Sequence, residues 1–351
     1  MRIALIAPPW VPVPPPLYGG TEVVVDRLAR GFQAAGHEVL LFTTGDSTCP
    51  VPNQWVLERS ENLRMGAVVP ELRQGIHAYE AARGFDIVHD HTLAGPVYAY
   101  RFPELNVVTT NHGPFNDELL DIYRVIADSA SIIAISHSQA SYAEGLPIAR
   151  VIHHGIDVAE FPIGDGNGDY FLFLGRMAPD KGARRAARIA RQAGVRLLIA
   201  AKMREPLELE YFDHQVRPLL GKDIEFVGEV GGDEKLALLA GAKGLLNPIR
   251  WVEPFGLVMI EALACGTPVL TYRQGAAPEI VDHEVTGFLC DVHDEMAEAI
   301  HRVDELDRRA CRTAVEERFS TDRMVADHLD LFESLLSGGP APQPIAVGAA
   351  P

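Results

Sequence analysis

The sequence predicts an α/β protein of two doubly wound, Rossmann-like halves, and three observations lead there. Apolar strand-like runs alternate with amphipathic helical stretches along the whole chain, the pattern of parallel sheets. At 351 residues the chain exceeds one ordinary core and suits two domains. Near its middle lies FPIGDGNGD, Phe161–Asp169, a glycine- and aspartate-rich linker signal, and a second α/β run starts straight after it.

In the first half, Arg2–Ala7 reads as a buried strand, ahead of a proline-rich loop from Pro8 to Tyr18 that contains Trp10. Gly19-Gly20-Thr21-Glu22 opens an amphipathic helix, VVVDRLARGFQAAG, which Gly36 closes, and Glu38–Thr43 is the next strand. Strand, glycine turn, helix and strand make a βαβ unit whose helix N-terminus can receive a phosphate. The dinucleotide pattern G-x-G-x-x-G is missing, so a plain tight turn explains Gly19 and Gly20 equally well. Further strands are expected at Asp86–His89, Val107–Thr110, Ser131–Ile135 and Arg150–His153. Polar clusters recur at their C-terminal ends: His89-Asp90-His91, Asn111-His112-Gly113, Ser136-His137-Ser138, and His153 to Asp157. Open α/β sheets bind ligands beyond those ends, so the clusters favour a polar cleft over separate structural hydrogen bonds.

The second half starts with strand Tyr170–Leu174, then Gly175-Arg176, PDKG and helix Ala183–Ala193. Strands follow at Leu197–Ala201, Ile224–Val227, Gly244–Asn247 and Pro268–Thr271. Arg176 and Lys181 stand on one strand-end loop between Gly175 and Gly182. Such a pair suits a diphosphate, because Arg grips phosphate oxygens bidentately and Lys adds a point charge; a solvated basic turn accounts for them as well. WVEPFGLVMIEALACGTPVL, Trp251–Leu270, sets Glu253 before a helix and Glu261 inside it, with Leu257, Ile260, Leu263 and Ala264 on one apolar face. Gly256 leaves backbone N–H groups open near the helix start, where a phosphate or an electron-rich sugar oxygen is expected. The plainer alternative is a helix with an acidic first turn and one exposed Glu. Helices near Met296–Val303, Asp307–Arg318 and Asp322–Leu336 precede an aperiodic tail that is expected to be disordered.

The net charge of −17 argues against nucleic acid and against anionic lipid, both of which call for basic clusters. No apolar run reaches the roughly 18 residues of a membrane span, and MRIALIAPPW reads as a first strand and not a signal peptide. Cys49, Cys265, Cys290 and Cys311 are scattered without C-x-x-C spacing, which suits a reducing cytosol and no metal site. Abundant Ala, with Arg far outnumbering Lys, fits a GC-rich bacterial genome.

Six segments in order resemble the retaining glycosyltransferases of family 4, which have the GT-B fold of two Rossmann-like domains facing across a cleft. They are the Gly-Gly turn, TTNHG, HHGID where the family usually has NGVD, FLGRMAPDKG, FVGEV, and EPFGLVMIEALACGTPV, which resembles the family's E-x7-E motif. GAAPEIVDHEVTGFL matches the usual continuation. The resemblance implies an N-terminal acceptor domain over 1–160, onto which helix 322–337 packs back, a donor domain over 168–320, and a tail over 338–351. Arg176 and Lys181 would bind the diphosphate of a nucleotide-sugar, Glu261 the ribose, and Glu253 the transferred sugar. The backbone of Phe255, Gly256 and Leu257 would contact sugar and phosphate, and Val230 would sit against the base. Gly19 and Gly20 would meet the β-phosphate, and His112 the sugar.

The implied reaction moves a hexose from a UDP- or GDP-sugar to an acceptor hydroxyl by same-face displacement. Fixed cations and helix N-termini would take the charge of the leaving diphosphate, so no cofactor and no metal are expected; no convincing D-x-D metal motif is present. Without a basic amphipathic helix, a soluble small molecule or glycan is the expected acceptor and the cytoplasm the expected compartment. The alternatives are a GT-B sugar-nucleotide epimerase and a non-catalytic nucleotide-sugar-binding protein. Phe161–Asp169 and the crossing near Arg318–Asp322 are the expected hinges.

Overall fold

The chain divides into two compact units, Met1–Gly155 together with Thr321 onward, and Ile156–Ser320. The computed structural model describes residues 1–338; the tail expected to be disordered lies, beyond Gly338, outside the described residues. No helix among the described residues is long and apolar enough to cross a membrane.

Unit 1 is built on a seven-stranded sheet. Its strands are β1 (Arg2–Ile6), β2 (Glu38–Thr43), β3 (Asn53–Trp55), β4 (Ile87–Asp90), β5 (Val107–Thr110), β6 (Ser131–Ala134) and β7 (Ile148–Val151). The order is β3-β2-β1-β4-β5-β6-β7, and every pair is parallel. Strands such as RIALI and VVTT are buried almost without alternation, because helices cover both faces of a parallel sheet. The last strand lies slightly before its expected limits, so that His153 and His154 fall in the loop beyond it. Strand β3 and the helix Val68–Ala81 were not anticipated from pattern. The last described helix, Thr321–Leu336, belongs to unit 1 and lies along the first helix, Gly20–Ala34. The rings of Phe32 and Phe332 stand 5.6 Å apart between them.

Unit 2 repeats the plan with β8 (Phe171–Arg176), β9 (Leu197–Lys202), β10 (Ile224–Gly228), β11 (Leu245–Asn247), β12 (Val269–Tyr272) and β13 (Gly287–Cys290). These run parallel in the order β10-β9-β8-β11-β12-β13. Helix Ala183–Ala193 buries Ala183, Ala186, Ala187, Ile189 and Ala190, small side chains that let it lie close on the sheet. In each sheet the strand order reverses once, between β1 and β4 and between β8 and β11. A crevice opens beyond the carboxyl ends at such a switch point.

The glycine-rich stretch expected as the linker is instead held inside unit 2. The Gly164 N–H donates to Cys265 O (3.0 Å), the Gly168 N–H to Gly241 O (2.9 Å), and Arg308 Nε donates to Gly164 O (2.7 Å). Its glycines serve close approach and not slack: a Cβ on Gly164 would stand 2.1 Å from Ala240 O. The chain enters unit 2 at Ile156 and leaves at Ser320, and these two residues form a parallel bridge.

Candidate active site

In unit 2 the two loops that flank the switch point carry the residues singled out from sequence. Arg176 ends β8, and Lys181 lies on the turn that follows; Glu253 lies on the loop from Pro248 to Gly256 that follows β11. Folding brings Lys181 and Glu253 together. Lys181 Nζ donates to Glu253 Oε2 at 2.5 Å, and both side chains are mostly buried. The same ammonium stands 5.0 Å from the centroid of the Trp251 ring, a cation–π contact. Trp251 Nε1 is buried with no acceptor among the described residues. Arg176 takes a different setting: its guanidinium is 3.4 Å from Asp180 and 3.9 Å from the buried carboxylate of Glu208. The two cations are therefore neighbours in sequence but have separate partners.

Helix Leu257–Ala264 starts directly behind Glu253. Its N-cap, Gly256, has φ 106°, a left-handed conformation that turns the chain sharply into the helix. The N–H groups of Gly256 and Leu257 have no acceptor among the described residues, so they are open donors at the positive end of the helix dipole. Phe255 turns its ring into the core of unit 2. Glu261, in the second turn, is nearly buried and accepts from Lys235 Nζ at 2.9 Å, Lys235 standing on helix Gly232–Gly241. Val230 is buried just past β10.

In unit 1, Gly19 and Gly20 open the helix Gly20–Ala34 as expected, and Gly19 lies against Pro15 of the proline-rich loop. The buried carboxyl of Glu22 follows in the first turn, and burial pushes its pKa up to about 7. Four of the strand-end histidines come together: His89, His91 and His154 are buried and His112 is half-buried, while His137 is exposed and His153 half-buried outside this cluster. His91 Nδ1 lies 2.9 Å from His112 Nε2, and His112 Nδ1 lies 3.3 Å from His154 Nε2. The His89 ring lies 4.1 Å from that of His91 and 5.2 Å from that of His328 of the last described helix, tilted against both. Burial and the neighbouring rings hold His89, His91 and His154 well below the ordinary histidine pKa; the same causes bring His112 to about 3, and burial brings His328 to about 4.

Neutral rings carry one N–H each, which gives the chain of contacts a direction. His91 Nε2 is buried without a partner, and a lone pair left there costs less than an orphaned N–H. His91 therefore donates from Nδ1 to His112, and His112 donates from Nδ1 to His154. Both nitrogens of His112 are engaged, so a sugar hydroxyl reaches that ring only by displacing His91 or His154.

With this geometry in view, comparison with known proteins is decisive for the family. A family model described as "Glycosyltransferase Family 4" matches residues 18–160, and one described as "Glycosyl transferases group 1" matches 161–318. The chain is a family 4 glycosyltransferase. It is similar to a glycogen synthase of Mycobacterium tuberculosis (strain H37Rv), 28% identical over 84% of this chain and 83% of the other. Among solved structures, a glycosyltransferase involved in avilamycin A biosynthesis superposes with TM-score 0.72 at 28% identity, over 96% of this chain and 98% of that one. The Anabaena protein HepE, solved with UDP and glucose, superposes with TM-score 0.75 at 19% identity, over 95% and 100%. The fold of this family 4 glycosyltransferase is accordingly GT-B, with two Rossmann-like domains.

Several residues that shape this candidate site were not found by sequence reasoning. Lys235 and Trp251 partner Glu261 and Lys181 across long sequence separations that no periodicity encodes. Gly275 (φ 60°) falls within the quoted GAAPEI segment, and a Cβ there would stand 2.6 Å from both Glu253 N and Glu253 O. Its neighbour Ala276 donates its N–H to Glu253 O at 3.0 Å. This short loop grips the Glu253 backbone directly.

Proposed function

We propose that this family 4 glycosyltransferase moves a hexose from a UDP- or GDP-sugar to an acceptor hydroxyl with retention of configuration. The observation that carries this is the Lys181–Glu253 ion pair at the switch point of the second sheet, beside the open amides of Gly256 and Leu257. A hexosyl nucleotide is supported by the relatives: one is a glycogen synthase, and HepE was solved with UDP-glucose as well as with UDP.

An ammonium has three N–H groups, so Lys181 can keep Glu253 and still donate to a phosphate oxygen. Together with Arg176 it lowers the energy of the negative charge that builds on the diphosphate as the anomeric C–O bond breaks. Gly256 and Leu257 add fixed dipoles that need no reorganisation. Glu253, with one oxygen on Lys181, offers the other to hydroxyls of the transferred sugar, and it orients the sugar without acting as nucleophile. The acceptor oxygen attacks from the face that the diphosphate leaves, and its proton passes to the leaving phosphate oxygen. Glu261, with one oxygen on Lys235, offers the other to the ribose diol. Val230 is assigned to the base. Charge neutralisation by these groups makes the reaction independent of divalent metal. Acceptor choice is assigned to unit 1, for a soluble small molecule or glycan.

Calorimetry with a panel of UDP- and GDP-sugars tests this directly. One donor is expected to bind, K181A and E261A are expected to weaken it at least about tenfold through loss of charge-assisted bonds, and the transfer product is expected to keep the donor's anomeric configuration by NMR. Turnover is expected to persist in EDTA. Unchanged affinity in both variants, an inverted product, or epimerised donor formed without acceptor would overturn the assignment.

A further inference from the structure

Periodicity places Arg185 among the arginines on the solvated face of helix Ala183–Ala193, with Arg184, Arg188 and Arg191. Its side chain does something else. Arg185 Nε donates to Pro248 O at 2.7 Å, and Nη2 donates to Asp180 O at 3.0 Å. Among the described residues no carboxylate forms an ion pair with it, and both of its hydrogen bonds go to backbone carbonyls. Asp180 is joined directly to Lys181, and Pro248 opens the loop that leads to Glu253. The two loops also touch without the arginine: a Cβ on Gly182 would stand 2.6 Å from Pro248 O.

We propose that Arg185 is a positioning residue, a fork that fixes the register of the two loops and thereby sets the Lys181–Glu253 pair. The proposal rests on reading that pair as the donor-binding, charge-stabilising core of the site. A planar guanidinium can hold two carbonyls in fixed relative positions, which a lysine ammonium on its flexible stem does not reproduce. The fork acts at a distance from the substrate through the backbone. Losing it therefore disturbs the aim of Lys181 and Glu253 more than the affinity of the donor, and this separates it from a residue that only supports the fold.

Crystal structures and steady-state kinetics of R185Q, R185A and R185K test this. In R185Q the Lys181 Nζ to Glu253 Oε2 contact, 2.5 Å in the parent, is expected to open beyond hydrogen-bond range. The kcat is expected to fall about a hundredfold, as for misplacement of reacting groups by about 1 Å, while donor KM rises by less than the roughly tenfold loss expected of K181A. Millimolar guanidinium is expected to restore part of the R185A rate. R185K keeps the charge, so full activity there would mean that charge and not the fork matters, and it would overturn the proposal. So would an intact 2.5 Å contact or an unchanged kcat in R185Q. If R185A does not fold, R185Q and R185K still decide. If the parent protein transfers no sugar, the functional assignment fails, while the Lys181–Glu253 separation in R185Q still decides the role of Arg185.

Discussion

At the scale of single residues, the position of Glu253 is set more by its neighbours than by its own segment. Gly275 sits with φ 60°, where an L side chain is strained, and its missing Cβ makes room for the Glu253 peptide. Ala in its place must displace that backbone. G275A is therefore expected to lose about 1–3 kcal/mol of stability from strain and overlap, and to lower kcat by more than its folded fraction explains. Thermal unfolding and kinetics on the same sample check both parts. Full activity in a destabilised G275A would detach this loop from the site. The GAAPEI string is visible in the sequence, yet its contact with a residue so far upstream is not, because no local pattern encodes a long-range backbone approach.

Elements were the most legible level. Helix Gly20–Ala34 and strands such as Glu38–Thr43 and Val107–Thr110 stand where periodicity and turn residues set them, since burial of one stripe or of both strand faces dictates which positions are apolar. How the elements dock was not legible. On helix Gly20–Ala34, a Cβ at Gly31 would stand 2.3 Å from Val325 Cγ2 of helix Thr321–Leu336. Within an isolated helix Gly→Ala gains about 1 kcal/mol. Here the β-branched Val325 has little rotamer freedom to yield, and overpacking costs about 1–3 kcal/mol. G31A is expected to be less stable than the parent, and V325A in the G31A background is expected to restore part of the loss. A calorimetric scan of the three proteins checks this. A stabilised G31A would mean that the two helices do not approach as described.

For the whole molecule, the buried titratable groups of unit 1 predict how its stability depends on pH. The five clustered histidines have folded pKa values below their unfolded one, so they contribute stability above about pH 6.5 that is lost as pH falls towards 3–4. His112, at about 3, accounts for about 2 kcal/mol of this between pH 6.5 and 5. Glu22 and Asp90, both raised by burial to about 7, act in the opposite sense: their stabilisation is present below the unfolded carboxyl pKa and is lost as pH rises through 7. Histidines outnumber these carboxyls, so the net effect is loss on acidification. The transition of unit 1 is expected to drop in temperature between pH 7 and pH 5, and H328F is expected to flatten the drop. Unit 2 has no comparable cluster among its described residues, and its transition is expected to move less. Differential scanning calorimetry across that range separates the two transitions, which a single two-state fit does not.

By itself the sequence determined the class of each half and the chemistry on offer. Its alternation of apolar runs and amphipathic helices admits little but doubly wound sheets, and Arg176, Lys181, Glu253 and the Gly256 turn stand in strand-end segments that such sheets turn to one edge, with Glu261 one turn into the helix that follows. Tertiary structure alone decided the partners. It paired Lys181 with Glu253 and Lys235 with Glu261, set His328 against histidines of distant strands, and drew the glycine-rich Phe161–Asp169 stretch into unit 2. The physical reason is the range of the forces. Periodicity and turn preference are local and can be read from a few neighbouring residues. Ion pairs, close backbone approach and desolvation depend on which segments the strand order brings together at the switch point.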